Sequence, residues 1–222
     1  MASTVNDTAL VDMVLTEVRR RLAQTATAAP SAEMVPVGVS ARHVHLSGPD
    51  LQALFGPGAR LTRRNELYQP WEFAAEETVS LVGPRSRILP DVRVLGPLRD
   101  QTQVELSRSD AIFLGVDPPV RMSGDLRGSV PLVLVGPVGG VTLTEGTIIA
   151  QRHIHASPDE ARRLNLRNGD QISLEIPGER GLVFHRVLVR VEPEYRLELH
   201  LDTDEGNASG FQPGMTARIV ST

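Results

Sequence analysis

A six-residue pattern that occurs twice constrains this chain more than any other feature. Arg42-His43-Val44-His45-Leu46-Ser47 and Arg152-His153-Ile154-His155-Ala156-Ser157 both read Arg-His-aliphatic-His-x-Ser. Side chains alternate faces along a strand, so the two imidazoles of a His-x-His point one way and the aliphatic residue between them points the other. Each copy runs at once into a helix-capping sequence, Ser47-Gly-Pro-Asp50 or Ser157-Pro-Asp-Glu160. The unit is therefore a strand, a pair of nitrogen donors and a capped helix. A lone His-x-His could be a structural or surface pair. Two copies in one frame, holding four of the six histidines, point to metal binding, for which neutral imidazole is a common ligand. Repetition of the whole unit implies two related β units and an internal duplication.

The remainder of the chain is punctuated like a β protein. Thr78–Val82, Asp91–Leu95 and Leu132–Val135 each end in Gly-Pro. Residues 34–46 are expected as one strand leading into the first His pair, and Val141–Ile149 as a strand leading into the second. Gln101–Ser107, Gln171–Ile176, Leu182–Val191 and Tyr195–Leu201 complete the expected strands. Short helices are expected over Leu51–Phe55 and residues 159–165, closed by Gly56-Pro57-Gly58 and near Asn168-Gly169-Asp170. With hydrophobic residues at 41% but aromatics at only 4%, the core must be built from Val, Leu and Ile, which favour sheet. Short strands at this turn frequency predict a mainly β fold of two small β-barrels with short capping helices.

Residues 5–24 differ from the rest. Leu10, Val11, Val14, Leu15, Val18 and Leu22 form one stripe at helical spacing, and Arg19, Arg20 and Arg21 crowd the end that favours cations. Residues 25–33 then read as a small-residue linker. On these grounds the helix either folds back on the body, mediates dimerisation or serves as a docking tag. Asp7, Asp12 and Glu17 argue against a mitochondrial transit peptide, and a secretory signal's continuous apolar region is missing. No apolar run approaches the roughly 20 residues of a membrane span.

Two absences in composition narrow the chemistry. The chain has no cysteine, so thiolate ligands and acyl-cysteine intermediates are excluded. All 23 basic residues are arginine, which excludes a lysine Schiff base and leaves the guanidinium fork as the cationic group for phosphate. A formal charge of -4 argues against nucleic-acid binding.

In Leu197-Glu198-Leu199-His200-Leu201-Asp202 the leucines share one face and Glu198, His200 and Asp202 the other. His200 is counted as a ligand. Gln103 and Glu105 likewise face together, although Glu105 alone would be an ordinary surface carboxylate. His185 has no partner two residues away and is expected to be structural or exposed. Five imidazoles and one carboxylate exceed what one tetrahedral zinc needs. Two metals with three protein ligands each would keep open positions, as catalytic sites do. Arg99 and Ser123, in loops, could hold a phosphate or a carboxylate.

Several segments together resemble the PduL-type phosphotransacylases, or phosphate propanoyltransferases: Pro36–Ser47, Glu76–Pro84, Val94–Arg108, Pro118–Asp125, Ile149–His155 and Glu198–Ala208. The resemblance spans about residues 34–218. It implies one barrel from residues 34–42 with 151–222, a second from 43–150, and an active site between them with two divalent metals, normally Zn2+. Carried over by motif, His43, His45 and Glu105 would bind one metal, and His153, His155 and His200 the other. Arg99 would be the phosphate-site arginine, with Ser123, Gln103 and the cofactor-side Arg190 nearby. The implied reaction is reversible transfer of a short acyl group, propanoyl by default, between coenzyme A and phosphate. Arg60, Arg63 and Arg64 could meet the coenzyme A phosphates. The family also makes residues 5–24 an expected encapsulation peptide, addressing a bacterial cytoplasmic enzyme to shell or core proteins in a microcompartment lumen, and leaves a homodimer open. The same ligands would serve two rivals, a binuclear metallohydrolase and a non-enzymatic metal-binding, shell-associated protein.

Overall fold

A computed structural model of the chain describes residues 34–221 and, in the N-terminal unit, only Leu15 and Glu17, both helical. The expected helix over residues 5–24 and the linker over 25–33 otherwise lie outside the described residues.

From Met34 onward the chain forms two closed rings of strands. One ring runs β1 (Met34–Ser40), β13 (Glu198–Asp202), β10 (His153–Ala156), β12 (Leu182–Val191), β11 (Gln171–Ile176), β14 (Thr216–Ser221) and back to β1. The other runs β9 (Gly140–Ala150), β6 (Gln103–Glu105), β2 (His43–Ser47), β5 (Ile88–Arg99), β4 (Phe73–Val82), β8 (Val130–Val135) and back to β9. Two short strands, β3 (Arg63–Glu66) and β7 (Val120–Arg121), extend β4 and β9. The mainly β, two-barrel expectation holds.

The rings share one connectivity. In each, the His-x-His strand pairs parallel to one neighbour (β12 or β5) and antiparallel to the other (β13 or β6). The strand just before each His pair, β1 or β9, belongs to the opposite ring. The expected single strand over residues 34–46 is therefore broken at Ala41 and Arg42, where the chain passes from one ring to the other. Gln151 and Arg152 make the same passage between β9 and β10. Local details repeat too. Asp91 and Arg186, at matching points of β5 and β12, have φ of 56° and 58°.

Four short helices cap the rings: α1 (Gly48–Phe55), α2 (Arg108–Leu114), α3 (Pro158–Arg163) and α4 (Thr203–Ser209). Ser47 and Ser157 accept hydrogen bonds from the amides of Asp50 and Glu160, as their spacing requires. The helices α2 and α4 were not expected, although Ser107-x-x-Asp110 and Asp202-x-x-Glu205 form full capping boxes. Gly96-Pro97, expected to end a strand, lies inside β5 with a cis peptide. Each ring encloses its own aliphatic core. Val44, Leu46, Leu81 and Leu134 sit in one, and Ile154, Ile172, Leu174 and Leu199 in the other, all at 1% exposure or less. No helix among the described residues is long and apolar enough to cross a membrane.

Candidate active site

Register brings the expected ligands together. Across the antiparallel β2–β6 ladder His43 faces Glu105 and His45 faces Gln103. Across β10–β13, His153 faces His200 and His155 faces Glu198. Val44 and Ile154 turn into the cores, so both histidines of each pair look outward from the barrel. The result is two triads, His43/His45/Glu105 and His153/His155/His200, each with its donor atoms within 4.8 Å of one another. Both triads line one cavity of about 430 Å³, with Arg99, Ser123, Trp71, Glu72, Arg190 and Tyr195 on its walls.

Burial prepares His45, His153 and His155 as neutral ligands. His43 and His153 donate from Nδ1 to the carbonyls of Ala41 and Gln151, at 2.9 and 2.8 Å, with the tautomer following from the acceptor. That leaves their Nε2 atoms for a metal. Burial holds His153 down to about 3, with His200 beside it adding to the effect. Burial and the neighbouring histidines also push His45 and His155 well below the usual range. Buried nitrogens need partners, yet His45 Nδ1 and His155 Nδ1 have no hydrogen bond among the described residues, and His200 Nε2 has none of good geometry although Glu198 Oε2 lies 2.8 Å away. Buried donor atoms left open, on side chains with the N and O chemistry zinc accepts, fit a pair of divalent ions.

Arg99 and Ser123 form the polar wall beside the first triad. Arg99 donates to Ser123 Oγ at 3.1 Å and lies 3.8 Å from a Glu72 oxygen. Burial lowers its pKa, and the Glu105 and Glu72 carboxylates oppose that shift. An arginine stays charged across this range. Ser123 in turn donates to Glu105 at 3.0 Å. Gln103 sits behind Glu105 rather than on the cavity wall. It donates to Glu105 at 2.5 Å and to Ser123 at 2.9 Å, and accepts from the Gly124 amide at 2.9 Å. Arg190 approaches His155 Nε2 at 3.4 Å and covers the Tyr195 ring. Outside the cavity lining, Arg63 pairs with Glu66, and His185 is exposed with its ring against Ser173.

A loop over residues 67–72 carries residues that the motifs did not mark. Trp71 stacks on Tyr195, which stacks on His155 with ring centroids 4.0 Å apart. Gln69, 1% exposed, hydrogen-bonds across to Arg196 and Glu198 of the other ring. Nothing local distinguishes such a glutamine. The aromatic pair carried a faint signal, because Trp71 is the chain's single tryptophan.

Chemically, the cavity combines two groups that could hold a divalent cation with an arginine and a hydroxyl, side chains able to bind an oxyanion. Comparison with known proteins identifies a family. The family model described as phosphate propanoyltransferase matches residues 36–212. A phosphate propanoyltransferase of Rhodobacter capsulatus is 48% identical over 211 residues, covering 95% of this chain and 96% of that protein. Proteins of the same name from Rhodopseudomonas palustris and Salmonella typhimurium are 52% and 50% identical, covering 83% and 84% of this chain and 81% and 89% of their own lengths. With the family model matched over residues 36–212 and relatives about half identical over most of its length, this chain belongs to the phosphate propanoyltransferase family.

Proposed function

We propose that this protein is a phosphate acyltransferase that moves a short acyl group, propanoyl in the first instance, reversibly between coenzyme A and inorganic phosphate. The observation that carries this reading is the placement of Arg99 and Ser123 on one cavity wall with both triads. His43, His45 and Glu105 hold one divalent ion, and His153, His155 and His200 a second, both Zn2+. The site lies between a barrel of residues 34–42 with 151–222 and a barrel of residues 43–150. When bound, the ions supply Lewis-acid polarisation and neutralise phosphate charge.

Arg99 grips phosphate through its guanidinium fork, and Ser123 fixes its orientation. A phosphate oxygen attacks the thioester carbonyl carbon, the carbon–sulfur bond breaks, and coenzyme A leaves with the proton that phosphate gives up. Arg99 also faces the charge that develops on the carbonyl oxygen. The chain has neither cysteine nor lysine, and Glu105 serves as a metal ligand rather than as a nucleophile, which favours direct attack over an acyl-enzyme. Arg190, between His155 and Tyr195, lies on the coenzyme A side. Residues 5–24 act as an encapsulation peptide, drawing the enzyme into a microcompartment lumen in the bacterial cytoplasm.

Thiol release tests this reading. Metal-loaded protein is mixed with propanoyl-CoA, with and without phosphate, and free coenzyme A is followed with a thiol reagent, to which the cysteine-free protein adds no background. The expected result is phosphate-dependent release that a chelator abolishes. Equal release without phosphate would identify a metallohydrolase. Absence of release with several acyl-CoAs would leave a metal-binding protein.

A further inference from the structure

The two triads differ in charge, and the difference singles out Glu198. The His43/His45/Glu105 set contains its own carboxylate, whereas three neutral imidazoles bring no charge to a divalent ion. Glu198 is 8% exposed and points at this second set, with Oε2 2.8 Å from His200 Nε2, offset from the line of the ring N–H. Its other partner is the Gln69 amide at 3.2 Å. No arginine forms an ion pair with it among the described residues. A carboxylate taken out of water without a cation is costly, and such groups are normally paired or placed beside a metal.

The duplication gives an independent argument. Glu198 and Gln103 occupy matching positions, each opposite the second histidine of its pair and two residues before the third ligand. Their chemistries are inverted. Gln103, an amide, donates to the carboxylate ligand Glu105. Glu198, a carboxylate, lies against the imidazole ligand His200. Each half-site thus contains one carboxylate, inside the ligand set in one case and beside it on the cavity lining in the other. We propose that Glu198 is the charge-balancing, positioning partner of the ion held by His153, His155 and His200, and that Gln69 fixes it there from the opposite ring. This inference rests on the two-metal reading above.

Two further features hold Glu198 in place. Gln69 is itself fixed, since its Oε1 accepts from the Arg196 amide and its Nε2 donates to the Arg196 carbonyl, both at 3.1 Å. Gly38 provides the space, because a Cβ there would collide with Glu198 Oε1.

Glu198→Gln keeps the shape, and its amide oxygen still accepts from Gln69, but the charge is gone. Metal affinity is read by chelator competition on fully loaded protein, and stability by thermal melting with and without metal. One of the two ions is expected to bind about 10–100-fold more weakly, with the other unchanged. Metal is expected to raise the melting temperature of the variant less than that of wild type. The loaded variant is expected to melt below loaded wild type. Gly38→Ala, which displaces the carboxylate without removing it, should weaken the same ion. Wild-type affinity at both sites in Glu198→Gln would overturn the proposal. So would an equal gain in melting temperature on metal loading in Glu198→Gln and wild type, since that marks a plain structural contact. If Glu198→Gln does not fold, unchanged affinities in Gly38→Ala overturn it instead. Wild-type protein that binds fewer than two ions would defeat the two-metal reading itself, a failure visible before any variant is made.

Discussion

His43 and Glu105 stand opposite each other on the β2–β6 ladder with Nε2 and Oε2 3.6 Å apart. That separation is too long for a good hydrogen bond and suits two ligands that share an ion. Glu105 is held by Gln103 and Ser123, and His43 by the Ala41 carbonyl, so both donors are fixed before metal arrives. Glu105→Ala is therefore expected to reduce bound metal from two ions per chain to one, as read by elemental analysis of dialysed protein. Lewis-acid stabilisation amounts to several kcal/mol, so phosphate-dependent thiol release should fall by at least about a hundredfold. Two ions retained in the variant would remove Glu105 from the ligand set.

Arg99 gives a separate prediction, because it bears on phosphate rather than on metal. Its contacts are Ser123 and, more distantly, Glu72. A hydrogen bond to a charged group contributes about 1.5–3 kcal/mol, so Arg99→Ala should lower kcat/KM about 10–100-fold with both ions retained. Titrating phosphate in the thiol-release assay should show a raised KM for phosphate. Arg99→Lys restores charge without the two-pronged geometry and should recover only part of the loss. A variant that turns over normally would mean that another group binds phosphate.

The triads were legible in the sequence because each is mostly set by period-2 alternation. Once His43-x-His45 and His153-x-His155 are on strands, their faces are fixed. Pairing of Glu105 and His200 with those strands depends on register between distant segments, which their local patterns alone do not encode. The family resemblance supplied that step. The break at Ala41 and Arg42 was illegible for a related reason. An exchange of strands between rings is a tertiary event, and the apolar alternation of residues 34–46 runs through it without interruption. The helices α2 and α4 left a readable signal in their capping boxes, but seven-residue helices carry too little periodicity to stand out against strands. Gln69 has meaning only through Glu198 and Arg196, more than a hundred residues away in sequence.

Trp71 offers an optical probe of the cavity. Its ring lies 5.5 Å from that of Tyr195, which stacks on His155. An ion held by His155 fixes that imidazole and, through the stack, changes the surroundings of the indole. Intrinsic fluorescence should therefore change as metal-stripped protein is reloaded and level off when the His153/His155/His200 site is full. Because the chain has one tryptophan, the signal excited selectively through tryptophan should disappear in Trp71→Phe, leaving only emission from the two tyrosines under shorter-wavelength excitation. Flat emission during a reloading that elemental analysis shows to be complete would mean that the stack does not report on His155.

Ile154 tests how far the core supports the site. It is fully buried between His153 and His155 in sequence, and its inward packing sets the direction of both imidazoles. Ile154→Ala should cost about 2–5 kcal/mol through lost burial and an unfilled cavity. At about 2–4 °C per kcal/mol for a chain of this size, melting should fall by about 4–20 °C. Ile154→Val removes one methylene and should cost about 0.5–1.5 kcal/mol. The informative comparison is with Leu199→Ala, which empties the same core from a strand whose ligand is His200 rather than the His pair. If strand packing aims the clamp, Ile154→Ala weakens metal binding more than Leu199→Ala does at equal loss of stability, as measured by chelator competition. Equal weakening in the two variants would mean that the imidazoles are aimed by their Gln151 and Arg190 contacts, and that the core contributes only stability.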